Sequence, residues 1–61
     1  MLPMFDFLKK YSLDSSEVFT IIYDSSSGPE FYEAIRKVNP QVTAKDAVGA
    51  WDGYWVGYSD S

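Results

Sequence analysis

Nine carboxylates, five basic groups and eleven aromatic rings are the chemically expressive side chains of this 61-residue chain, which has neither histidine nor cysteine. Without imidazole or thiolate, acid–base work near neutral pH falls to displaced carboxylates and nucleophilic work to hydroxyls. Asp14 and Glu17 stand three apart, as do Ser27 and Glu30, and Thr43 and Asp46. That spacing is also the spacing of a helix N-cap followed by an acid at the third helical position, which accounts for all three pairs without catalysis. No serine stands in a G-x-S-x-G context. Asp24, Ser26 and Gly28 echo a calcium loop. The glycine, however, falls at the fifth loop position instead of the sixth, and Ile35 occupies the twelfth, where a glutamate is needed. The run Ser25-Ser26-Ser27-Gly28 ahead of a helix has the polarity of an anion site, but Pro29 removes one N–H and Glu30 competes for the same positive end. The expectation is a chain with no catalytic, metal-binding or cofactor-binding residues, and not an enzyme.

The charge balance narrows the partners. Lys9, Lys10, Arg36, Lys37 and Lys45 sit among nine acids, for a net charge of −4. A protein that neutralises phosphates needs the opposite balance, so direct nucleic-acid binding is not expected. An acidic miniature that stands in for nucleic acid and blocks a DNA- or RNA-binding protein remains a third reading.

Aromatic density carries the leading one. Trp51, Tyr54, Trp55 and Tyr58 lie within eight residues, and Tyr32 adds a ring on the central segment. A core this small has difficulty hiding eleven rings. Tyr and Trp combine an apolar body with a polar edge and are the usual anchors of protein interfaces. Tyr32, Trp51, Tyr54, Trp55 and Tyr58 are therefore the candidate protein-interface residues. Tyr54, Tyr58 and Tyr32 are the ones expected to be exposed, and Trp51 and Trp55 can equally be core.

These side chains need elements to position them. A first helix from Pro3 to Tyr11 is expected, with Pro3 in its first turn and Asp6 supporting Lys10. Ser12 and Leu13 break it. A second helix from Ser15 to about Tyr23 follows, capped by Asp14, with Val18, Phe19, Ile21 and Ile22 inward. The same residues are β-branched and aromatic enough to form a strand. A third helix, Pro29 to Val38, has Phe31, Ala34, Ile35 and Val38 on one face and a Glu33–Lys37 pair on the other. It stops at Asn39-Pro40. Thr43 caps at least a short helix, Ala44 to Ala50. Beyond it two readings compete. As helix, Ala44, Ala47, Val48, Trp51, Trp55 and Tyr58 form one stripe, and Gly49, Gly53 and Gly57 a second. As hairpin, Asp52-Gly53 is the turn. A lone hairpin is marginal, so the second and last segments turn to strand together or not at all.

The expected fold is mainly α, a small bundle of three to four short helices, with an α+β fold carrying a C-terminal hairpin and one further strand as the alternative. Residues 1–61 form one domain, with 59–61 frayed. The order of apolar and cationic residues in Met1–Lys10 is the reverse of a signal peptide, and no apolar run approaches 18 residues. The expected setting is cytoplasmic, away from membranes. The leading functional expectation is a small acidic protein-binding module acting by surface occlusion as inhibitor, regulator or adaptor, a natural product of a virus or mobile element. Its partner is another protein. The second expectation is a structural subunit that completes its fold in a homo-oligomer or larger assembly.

Overall fold

A computed structural model describes residues 3–60. They form four helices: α1 (Met4–Lys10), α2 (Ser15–Asp24), α3 (Gly28–Val38) and α4 (Ala44–Asp60). The fold is a small all-helical bundle, and the alternative with a hairpin and a further strand is overturned: no strand occurs among the described residues. α3 packs most extensively on α4, α1 also packs on α4, and α2 packs on α3. Among the described residues no helix is long and apolar enough to cross a membrane. Of residues 59–61, expected to fray, the backbone of 59 and 60 belongs to α4, and residue 61 lies outside the described residues.

Each boundary has a local cause. α1 ends where Ser12 turns left-handed, at φ 54°. The Ser12 N–H donates to the Lys9 carbonyl at 3.3 Å and the Leu13 N–H to the Leu8 carbonyl at 2.9 Å. Those are the two bonds of a Schellman stop, here with serine at the place glycine usually takes. α2 begins at Asp14, whose carboxylate does not cap the helix as expected. It accepts instead from Ser16 Oγ at 2.9 Å, and only the Asp14 carbonyl receives the first helical N–H, from Val18. α3 is capped as the spacing predicts: Ser27 Oγ accepts from the Glu30 N–H, and Glu30 reaches back to the Ser26 N–H at 3.2 Å. At its other end Asn39 is extended (φ −143°, ψ 103°), because the following proline excludes the helical region. The Asn39 side chain then works twice, donating to the Tyr11 carbonyl and accepting from the Gln41 N–H, both at 3.0 Å. Thr43 Oγ1 caps α4 by accepting from the Asp46 N–H.

The core is Phe7, Phe31, Ile22, Ile35 and Val18, all fully buried, closed by Met4, Leu8, Val42, Ala47 and Ala50. Three expected details differ. Val38 is exposed, because the inward face of α3 ends with Ile35. Glu33 pairs with Arg36 at 3.3 Å and not with Lys37. Lys10 leaves Asp6 for Asp46 on α4, at 2.8 Å. On α4 the buried positions are Ala47 and Ala50, while Ala44 in the first turn is exposed. Small residues there let α3 come close. Gly28 sits so near that a Cβ would stand 3.2 Å from Val48 Cγ1 and 3.4 Å from Trp51 Cδ1.

The helical state of the last segment follows from a comparison of magnitudes. Three interior glycines cost about 2–3 kcal/mol relative to alanine. Against that, Trp51 meets Phe31, Tyr54 meets Phe19 and Trp55 meets Tyr23, each such ring pair contributing about 0.5–1.5 kcal/mol beyond its buried area. A hairpin arm of two residues cannot place those rings. α2 is helical for the matching reason: Val18 and Ile22, four apart, are both buried. The two ambiguous segments did resolve together.

Candidate protein-binding surface

The side chains best placed for recognition lie where the C-terminal half of α4 faces α2. The two helices meet there chiefly through rings. Trp55 is the hub, with ring centroids 5.6 Å from Trp51, 5.1 Å from Tyr54, 5.6 Å from Tyr58 and 6.4 Å from Tyr23, mostly edge to face. Tyr54 also packs on Phe19 at 5.8 Å. Inward the chain of rings continues from Trp51 to Phe31 at 5.6 Å and from Phe31 to Phe7 at 6.1 Å. The outer rings are thus seated on the buried core through an unbroken series of aromatic contacts.

Exposure rises along that series. Trp51, Tyr54 and Trp55 are half-buried, whereas Tyr23 and Tyr58 are 67% and 63% exposed. The Tyr23 and Tyr54 hydroxyls stand 3.1 Å apart and share a proton as donor and acceptor. That hydrogen bond, with some help from burial and from the neighbouring phenols, raises the Tyr54 hydroxyl above the usual phenol range. The indole Nε1 of Trp55 is buried and has no hydrogen-bond partner. A buried donor left unpaired costs about 1–3 kcal/mol, so the four ring contacts of Trp55 have to outweigh it.

Four of the five residues singled out from the sequence, Trp51, Tyr54, Trp55 and Tyr58, are brought together here. Tyr32 is not. It lies half-buried on α3 beside Arg36, Lys37 and Pro40, and no ring contact joins it to the α4 cluster. Of the three tyrosines expected to be exposed, only Tyr58 is; Tyr32 and Tyr54 are half-buried. Sequence reasoning missed Phe19 and Tyr23. Their spacing of four on α2 matches that of Tyr54 and Tyr58 on α4, and that correspondence was the available signal.

A second polar feature fastens α1 and is structural. Asp46, its side chain 17% exposed, accepts from Lys10 and from the Tyr11 hydroxyl. The Lys10 bond first, then the Tyr11 bond, hold the Asp46 carboxyl below the ordinary carboxylate range, and the Asp46 bond raises Lys10. Among the described residues no group of three acids is arranged to hold a metal ion. Comparison with protein families, with curated proteins and with solved structures finds nothing that matches this chain.

Proposed function

We propose that this chain is a small acidic protein-binding module that acts by covering part of a partner protein's surface, as an inhibitor, regulator or adaptor, and that it does so in the cytoplasm. The observation that carries the reading is the exposure of Tyr23 and Tyr58 on rings already held by Trp55 and Tyr54. Rings fixed before binding lose little conformational freedom on contact, and aromatic anchors of this kind dominate interface energetics. The net charge of −4 favours encounter with a basic surface. The nucleic-acid-mimic reading is weaker, because Asp46 and Glu33 already carry a lysine and an arginine.

The test is capture from host lysate by the immobilised chain, set beside a Tyr23→Ser/Tyr58→Ser double variant. Both positions are exposed, but the variant gives up their ring contacts to Trp55, so a thermal melt establishes first that it keeps its fold. A protein retained by the native chain and lost at least about tenfold by the variant supports the proposal. Equal retention by both removes the aromatic face from consideration.

A further inference from the structure

A second surface is built quite differently. Between the end of α2 and the outer side of α3 runs an open groove of about 500 Å³. Ile21, Pro29 and Ala34 supply its apolar lining, and Asp24, Glu30 and Glu33 its carboxylates. Among the described residues Lys37 is the one cation in its lining, against three carboxylates, of which Glu33 already pairs with Arg36, so Asp24 and Glu30 carry its negative charge. Glu30 is oriented by the Ser26 N–H, while the Asp24 carboxylate has no hydrogen bond or ion pair among the described residues. The groove wants an apolar side chain with a cation close beside it.

The same chain displays that combination elsewhere. Phe5 on α1 is 73% exposed, the most exposed of its large apolar side chains among the described residues. Lys9 stands four residues later, hence on the same face of the helix, and has no acidic partner among the described residues. Asp6 against Lys9 and Lys10 makes α1 the one helix with a net positive charge. Lys10 is turned to Asp46, which leaves Lys9 as the outward cation. Phe5 is exposed within its own molecule and so cannot fill its own groove.

We infer that the α2/α3 groove is the docking site for the Phe5–Lys9 face of α1 of a second copy, with the ring against Ile21, Pro29 and Ala34 and the ammonium between Asp24 and Glu30, beside the Glu33–Arg36 pair. Because knob and groove are different surfaces, the contact is head-to-tail: each copy keeps one unused groove and one unused knob at the ends of the assembly. The attraction is partly between exposed charges, so it weakens as salt rises. This surface shares no residue with the α2/α4 rings, and its failure leaves the aromatic face untouched.

The experiment is sedimentation equilibrium from about 20 µM to about 1 mM, at low and high salt. The expected result is a weight-average mass that climbs above 6.9 kDa with concentration and an association at least about threefold weaker at 0.5 M than at 0.05 M salt. Phe5→Ser, with Lys9→Glu as a second variant at another exposed position, abolishes the knob. Asp24→Lys/Glu33→Lys abolishes the groove. Each variant alone is expected to be monomeric, while an equimolar mixture of Phe5→Ser with Asp24→Lys/Glu33→Lys pairs one intact groove with one intact knob and stops at the dimer. A monomer throughout the concentration range overturns the inference and leaves the groove to a foreign basic segment. Association that survives Phe5→Ser and Lys9→Glu overturns it too, as does a mixture that stays monomeric while both variants keep the native melt.

Discussion

Replacing Gly57 by alanine should make the protein more stable, and the size of the gain tests whether α4 holds Tyr58 in place. Gly57 is exposed and lies inside α4, three residues before its last helical position. A Cβ built there meets no heavy atom within 4 Å, and the backbone is not in the left-handed region. The substitution therefore removes no contact and adds no clash. What changes is the freedom of the unfolded chain, which alanine reduces. In a helix interior the difference is about 1 kcal/mol. In the last turn, where the helix opens part of the time, about half to all of it is recovered, or roughly 0.5–1 kcal/mol. For a domain of this size that raises Tm by about 2–8 °C. Thermal melts followed by near-ultraviolet circular dichroism read it through the aromatic rings. An unchanged or lowered Tm would mean that the native helix stops before Gly57. Tyr58 would then not be seated against Trp55, and the proposed interface would lose its outer edge.

Gly28 predicts the reverse. Valine there pushes into Val48 and Trp51 at the α3/α4 contact and should cost about 1–3 kcal/mol in urea unfolding. Ser12→Gly relieves the left-handed serine at the end of α1 and should add about 0.5–1 kcal/mol, seen as a higher urea midpoint with unchanged slope. Trp55→Phe keeps a ring at the hub and removes the unpaired Nε1–H; it should stay within about 1 kcal/mol of the native chain, while Trp55→Ala loses about 2–4 kcal/mol. Asp46 has a folded pKa below its unfolded one. Its contribution to stability is therefore complete above the unfolded pKa and disappears as pH falls through the lower, folded value. Asp46→Asn should be less stable at neutral pH and show a shallower acid limb in a series of melts. Lys10 and Tyr54 are shifted upward, so what they contribute is present below their unfolded pKa values and is lost as pH rises through the folded ones.

What could be read from the sequence was local, and what could not depended on which helices meet. Ser27 and Thr43 cap where their spacing predicts, because a hydroxyl and an N–H three residues apart need nothing else. Asp14 has the same spacing but is captured by Ser16, two residues away, which local spacing could not arbitrate. The face of α3 carrying Phe31 and Ile35 was legible from its period. α4 was not: its glycines are equally consistent with turns, and the rings that hold it helical find partners on α2 and α3. For the same reason Tyr23 was overlooked and Tyr32 included. Which rings converge is decided by how α2 lies beside α4. The groove was invisible altogether, since Asp24 belongs to one helix and Glu30 and Glu33 to the next.

Whether exposed rings signal a binding surface or an incomplete fold turns on how much surface the chain has already buried. Its accessible area is 4001 Å². Scaling for a compact monomer of 6.9 kDa gives about 4,000 Å², so the bundle is closed as far as folded proteins of its mass are. Among the described residues the large core side chains Phe7, Phe31, Ile22 and Ile35 are fully buried within one chain. A subunit that completes its fold only in an assembly would leave such residues open. Phe5, Tyr23 and Tyr58 are instead surplus to the core. They sit on helices whose inner faces are already occupied; truncating Phe5 should change association far more than stability, whereas truncating Tyr23 or Tyr58 also gives up a ring contact to Trp55.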